Sequence, residues 1–316
     1  MINQLHMLTH EQAPVLLACG FFDGVHCGHQ EVIRTAVAAS KQNKGKAWVL
    51  TFDTHPMKVL KSDVAPEMLT SVKHKLNLIK SLGVAGCIVI PFTPLLAQME
   101  PESFIKKLVF SIPTLHSLFI GKNWTFGRNR RGNLALLRTL GRKYKFHISM
   151  IPPVLWRGKL VSSTRIRLTI GTGKLHEAEK MLGRPVSMLG NVIRGRQIGR
   201  NIEIPTANLD CDNEVYPPNG VYAVEAIIAA TKHPGIANIG TRPTIKERNK
   251  ADRILELHLF NIRGNFYKRN IEVLFREKIR NERRFSSLQV LKRQIARDII
   301  KAQLLLSSTS KKAARN

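Results

Sequence analysis

The chain has 316 residues and carries 50 Lys and Arg against 22 Asp and Glu, a formal charge of +28. At about 150 residues per domain the length predicts two domains, and 43% hydrophobic with 23% charged residues excludes a wholly disordered, collagen-like or coiled-coil chain. No apolar run approaches the roughly 20 residues of a membrane-spanning helix, and the first 17 residues lack the basic start of a signal or transit peptide.

In chain order, Val15–Cys19 is a continuous apolar run ending at Gly20, the mark of a buried strand. A polar turn follows, and Val32, Ile33, Ala36 and Val37 then recur at helical spacing. Residues 47–52 form the next strand, Leu76, Leu78 and Ile79 mark a helix closed by Gly83, and residues 87–90, 117–120 and 146–151 are further strands. Strands alternating with helices predict a parallel sheet with helical crossovers, and such sheets bind ligands at the carboxyl ends of their strands. Residues 20–30, 51–56, 121–132 and 162–167 all fall at that edge. Past Leu182-Gly183-Arg184-Pro185 the texture changes to short β-rich runs (221–228, 254–260, 271–275) separated by turn residues, the pattern of a compact sheet or barrel. A final helix is expected with Ser286 and Gln289 as its capping box and Leu288, Leu291, Ile295 and Ile299 as its apolar face. The expected division is 1–184, 185–306 and a flexible basic tail, 307–316.

Cys19, Cys27, Cys87 and Cys211 show no paired spacing, which argues against a zinc ribbon or a disulfide framework and fits a reducing, cytoplasmic setting. The first 186 residues carry 26 basic and 10 acidic groups and the last 130 carry 24 and 12, so the positive excess is spread along the chain. A spread excess suits polyphosphate substrates, an anionic surface or nucleic acid; nucleic acid is disfavoured as the main partner because no recognition motif accompanies the charge.

Two constellations carry chemistry. In the first, Asp23-Gly24-Val25-His26-Cys27-Gly28-His29-Gln30 joins strand to helix. Gly28 lets a phosphate approach the backbone, the helix N-terminus adds positive potential, and His26 and His29 can donate to phosphate oxygens. An ordinary glycine turn with surface histidines is the alternative. Ser162-Ser163-Thr164-Arg165, after the last strand, offers hydroxyls and a cation for a second phosphate clamp; its plainer reading is an N-cap. In the second constellation, Gly195 and Gly199 lie in a basic glycine-rich stretch that runs into Pro205-Thr206-Ala207-Asn208. Freed backbone amides there can cradle phosphates, and neutral Thr and Asn oxygens suit Mg²⁺. Glu256, among apolar neighbours in an alternating strand, is either an outward-facing strand residue or a positioned general base.

Residues 22–30, 51–56, 121–132 and 162–167 resemble the adenylyltransferase half of the bacterial bifunctional riboflavin kinase/FAD synthetase family, one of the H-x-G-H nucleotidyltransferases. Pro205-Thr206-Ala207-Asn208, Ala237-Asn238-Ile239-Gly240-Thr241-Arg242-Pro243-Thr244 and Glu256-Leu257-His258-Leu259 resemble that family's kinase module. The resemblance implies a Rossmann-like α/β domain followed by a small closed β-barrel with a C-terminal helix. It implies phosphorylation of riboflavin to FMN and adenylylation of FMN to FAD, with ATP as co-substrate and Mg²⁺ as cofactor. His26 and His29 would then hold the triphosphate, Asp23 and Gly24 shape that loop, Ser163, Thr164 and Arg165 form the second clamp, and Asn123 lies in the pocket loop. In the kinase module Thr206 and Asn208 would help hold Mg²⁺, Glu256 activate the ribityl hydroxyl, and Arg242 anchor the flavin-side loop. Asn123, Asn133, Glu203 and Lys268 depart from the family's usual residues. A kinase with a weakened adenylyltransferase half, or a flavin- or RNA-responsive regulator reusing these folds, stays open at this point, as does the oligomeric state.

Overall fold

A computed structural model describes residues 5, 8–193, 205–211, 215–241, 253–262, 264 and 266–313, with side chains described as far as residue 307. The chain divides into two compact units, Met1–Arg165 and Ile166–Asn316. The division falls ahead of the expected 184/185 because helix α8 (Leu175–Leu182) packs with the second unit: its His176 Nε2 lies 2.7 Å from Glu277 Oε2, and its Glu179 pairs with Arg276 at 3.7 Å.

The first unit is built on a parallel sheet of order β3-β2-β1-β4-β5, with β1 at Val15–Cys19, β2 at Lys46–Phe52, β3 at Gly86–Ile90, β4 at Leu115–Gly121 and β5 at His147–Ile151. Every residue of β1 is buried. Val15, Leu17 and Cys19 pack into one apolar cluster with Phe104, Ile105 and Leu108 of α5 (Pro101–Ser111) and Leu137 and Leu140 of α6 (Leu134–Tyr144). Leu16 and Ala18 enter another with Val32, Ile33 and Ala36 of α1 (Cys27–Gln42) and Ile79 of α3 (Val72–Lys80). Side chains that alternate between two covered faces explain why the run is uninterruptedly apolar. Because the chain leaves β1 toward β2 on one side and β4 lies on the other, the order reverses at β1/β4, the place where open parallel sheets bind ligands at their carboxyl edge.

The second unit contains a closed, wholly antiparallel barrel, β10-β11-β12-β9-β8-β13. Its strands are β8 (Val186–Ile193), β9 (Ala207–Cys211), β10 (Gly220–Ile228), β11 (Thr231–Thr241), β12 (Arg253–Leu259) and β13 (Asn270–Arg280). Closure removes the open strand edges of the sheet. Lys268 adopts the left-handed region (φ 62°) and donates its N–H to Val192 O at 3.1 Å, so the turn into β13 is kept at the cost of backbone strain. The C-terminal helix α9 (Leu288–Ala313) lays Ile295, Ile299, Ala302 and Leu306 on Val221, Ala223, Ile236 and Ile279.

Two expectations for this helix need correction. Ser287, not Ser286, caps it, its Oγ accepting Val290 N–H at 3.3 Å, and the expected face residue Leu288 is exposed. The segment expected as a tail from 307 continues the helix to Ala313, since Ser, Thr and Lys each cost the helix only a few tenths of a kcal/mol or so.

Candidate functional site

The turn between β1 and α1 is held from both sides. Asp23, 1% exposed, accepts Leu69 N–H at 3.0 Å and Thr70 N–H at 3.2 Å through its carboxylate. The Thr70 hydroxyl lies 3.4 Å from Asp23 Oδ1 and accepts Gly24 N–H at 3.1 Å. Gly24 sits at φ +74°, and a Cβ there would come within 2.6 Å of Leu69 Cδ1, so both the backbone angle and the close packing require glycine. Asp23 and Gly24 therefore fix the shape of the loop.

His26 caps α1, its Nδ1 accepting His29 N–H at 3.3 Å. The two imidazoles stack, with centroids 3.6 Å apart and planes at 18°, and the edge of Phe22 closes the other side of His29. Burial first, then the His26 and Lys75 charges, hold the His29 pKa well below the usual histidine range, so its ring is neutral at pH 7. His29 Nδ1 is buried with no hydrogen-bond partner among the described residues. A Cβ on Gly28 would fall 3.3 Å from the His26 ring, so glycine keeps the space over these rings clear. A helix N-terminus, two imidazoles and a bare backbone position thus meet in one place, a chemistry that fits phosphate oxygens.

A second helix start reaches the same turn: Ser163, first residue of α7 (Ser163–Gly171), donates its hydroxyl to Asp23 O at 3.0 Å. Thr164 beside it is exposed. Arg165 is brought close, yet its Nη1 donates to Lys159 O at 3.0 Å and Trp156 O at 3.2 Å, with the guanidinium 5.0 Å from the Trp156 ring centroid. It braces the short hairpin β6 (Leu155–Trp156) and β7 (Lys159–Leu160). Asn123 is exposed just beyond β4, the strand beside β1, at the same carboxyl edge. Asn133 acts as the N-cap of α6, its Oδ1 accepting Leu136 N–H at 3.0 Å, a task that Asp or Asn performs about equally well.

In the barrel, Glu256 pairs directly across β12 with Asn208 of β9 on one side and Asn238 of β11 on the other. Leu255, Leu257 and Leu259 point into the core, so Glu256 shares the opposite, outer face with both asparagines. Asn208 is 7% exposed, while Thr206, two residues before it, is exposed. Directly opposed residues lie about 5 Å apart at Cβ, so this row gathers amide and carboxylate oxygens of the kind Mg²⁺ prefers. Among the described residues no group of three or more His, Cys, Asp or Glu could hold a metal by itself. Gly195, Gly199, Glu203 and Arg242 lie outside the described residues.

Leu69, Thr70 and Lys75 are the parts of the first site that sequence reasoning missed. One signal was available for Lys75: it stands on the same helical stripe as Ile79, where a cation is out of place unless something inside receives it.

The FAD synthetase family matches residues 8–165 and the riboflavin kinase family residues 182–306. The bifunctional riboflavin kinase/FMN adenylyltransferase of Buchnera aphidicola subsp. Schizaphis graminum is 36% identical over 95% of this chain and 96% of its own, and that of Escherichia coli (strain K12) is 36% identical over 96% of each. The crystal structure of a macrolide-efflux protein from Streptococcus pneumoniae matches at TM-score 0.76 with 26% identity, covering 93% of this chain and 95% of that one. No helix among the described residues is long and apolar enough to cross a membrane. With both matches in order along one chain and relatives alike over nearly their full length, the chain belongs to the bifunctional riboflavin kinase/FMN adenylyltransferase family.

Proposed function

We propose that the second unit phosphorylates riboflavin to FMN and the first transfers AMP from ATP to FMN, giving FAD and pyrophosphate. The observation that carries this reading is the pair of family matches, 8–165 and 182–306, falling on the two units that hold the histidine turn and the Asn208–Glu256–Asn238 row.

For adenylyl transfer, an FMN phosphate oxygen attacks the α-phosphorus of ATP and the bond to pyrophosphate breaks. Charge grows on the leaving oxygens. The N–H groups of His26 and His29 and the first turn of α1 meet that charge, while Asp23 and Gly24 hold the turn still and Gly28 leaves room. Thr164 through its hydroxyl and Ser163 through its backbone amide, at the start of α7, form the other side of the clamp. Asn123, at the edge of β4, contacts the nucleotide or the flavin. Catalysis here is positioning and charge neutralisation, with no covalent protein intermediate.

For phosphorylation, the ribityl 5′-hydroxyl attacks the γ-phosphorus and ADP leaves. Glu256 accepts the hydroxyl proton. Thr206 and Asn208 would hold Mg²⁺, which when bound neutralises triphosphate charge. Gly195 and Gly199 would cradle the phosphates and Arg242 steady the flavin loop. Four free cysteines and the use of ATP and free flavins support a cytoplasmic setting.

The test is incubation of the full chain with riboflavin, ATP and Mg²⁺, with chromatography of the flavins. FMN followed by FAD is expected. FMN alone would leave a kinase with an inactive first unit, and no conversion of either flavin would overturn the reading.

A further inference from the structure

Lys75 of α3 is completely buried, yet it bears an ammonium group. Its Nζ donates to Phe52 O at 2.7 Å and to Phe21 O at 3.1 Å, and stands 4.5 Å from the centroid of the Phe21 ring. Phe52 is the last residue of β2, and Phe21 opens the turn that carries His26 and His29. Gly20 N–H donates to Leu50 O at 3.1 Å and the Thr51 hydroxyl donates to Phe21 O at 2.9 Å, and the lysine extends this link between the turn and β2 to the Phe52 carbonyl. A fixed charge there also acts on the site electrostatically. The groups facing it are Asp23 and His29 from the β1–α1 turn and α1, Asp53 just after β2, and Cys87 of β3. Burial pushes the Cys87 thiol up to about 11, so it is uncharged at neutral pH and the two aspartates are the opposing charges.

Lys75 is not among the groups assigned to phosphate, and ordinary packing would place Leu or Met at such a buried site without desolvating a charge. We propose that Lys75 is a positioning residue for AMP transfer, its buried ammonium locking the histidine turn to the end of β2 and setting the field behind the His29 imidazole before a phosphate arrives. Triphosphate oxygens then become the partners that draw the imidazole N–H outward. The lysine itself touches no substrate. Its burial lowers its own pKa to about 8, so the charge is present at pH 7 and is withdrawn above about pH 8.

This inference rests on the adenylyl-transfer reading of the same turn, and the unsubstituted chain is assayed first so that the two fail separately: absent FAD formation there refutes the reading itself. Lys75→Met keeps the length and removes the charge. It is expected to lower the kcat of FAD formation by about tenfold or more, with the KM for ATP changed by less than about threefold, while FMN formation in the same preparation stays as it was. The His29 imidazole, titrated by NMR, should show a raised pKa in Lys75→Met and return toward its original value in Lys75→Arg. An unchanged kcat, or a lost kcat with the His29 titration unmoved, overturns the proposal. Should Lys75→Met fail to fold in its first unit, the pH profile decides. FAD formation by the unsubstituted chain should fall above about pH 8, FMN formation should not share that limb, and Phe21→Leu, which removes the ring beside the ammonium, should move it to lower pH. Absence of the limb, or its indifference to Phe21→Leu, overturns the proposal equally.

Discussion

Replacing Asp23 removes the one acceptor that meets two backbone N–H groups from a segment 46 and 47 residues away, those of Leu69 and Thr70. In Asp23→Ala both N–H groups lose this acceptor at residues that are only 6% and 2% exposed. Each stranded donor costs about 1–3 kcal/mol, and the lost bonds are charge-assisted, so the first unit should lose roughly 3–5 kcal/mol. Asp23→Asn keeps the shape but turns an amide NH₂ toward one of the donors, and about half that loss is expected. Trp48, Trp124 and Trp156 are the chain's three tryptophans and all lie in the first unit, so their fluorescence under urea reports this unit alone. The histidines ride on the same turn, and a displacement of about 1 Å at a reacting group costs about a hundredfold in rate; FAD formation should fall accordingly in Asp23→Ala, with FMN formation as the internal control. An Asp23→Asn chain within about 0.5 kcal/mol of the original, with full FAD formation, would show that the turn does not depend on this carboxylate.

Glu256→Gln keeps the cross-strand packing and removes the proton acceptor; FMN formation from riboflavin should fall about a hundredfold or more while FAD formation from supplied FMN continues, as separated by chromatography. Lys268→Gly relieves the positive φ and should stabilise the second unit by up to about 1 kcal/mol, read as slower thermal loss of riboflavin phosphorylation. Stability should also depend on pH through Lys75, whose folded value of about 8 lies below its ordinary 10.5. Between those values the unfolded chain binds the extra proton, so this group's contribution favours the folded state increasingly from pH 8 to 10.5 and is lost as pH falls through 8, an amplitude of roughly 3 kcal/mol. Urea midpoints by tryptophan fluorescence should therefore rise with pH in that window relative to Lys75→Met; parallel curves for the two chains would refute the linkage.

The parallel sheet was legible because its strands are buried on both faces, and runs such as Val15–Cys19 therefore carry a plain apolar signal. The barrel was legible from its turn spacing, though β8, β9 and β11 went unread; β11, for one, opens Thr231-Lys232-His233-Pro234 and becomes continuously buried only from Gly235 to Ala237. The helix start at His26 was legible too, since a glycine-bearing turn between strand and helix leaves few alternatives. What the residues could not disclose was the division of labour at the carboxyl edge. Asp23 reads as a loop-shaping residue without showing that its carboxylate meets Leu69 and Thr70, and Ser163 looks like a ligand group although its hydroxyl meets a carbonyl 140 residues away. Asn133 reads as a lost charge and proves to be an ordinary cap. Lys75, on the apolar stripe of its helix, drew no reading and is fully buried. Each of these differences has one physical source: a polar group's role is set by the partner it meets, and for these groups that partner lies in a distant loop or in backbone, whose contribution carries no residue-type signal. Hydrophobic periodicity therefore reveals where such a site must lie, while the hydrogen bonds reveal which of its polar residues are already committed to the fold and which, like the Nδ1 of His29, have no protein partner among the described residues.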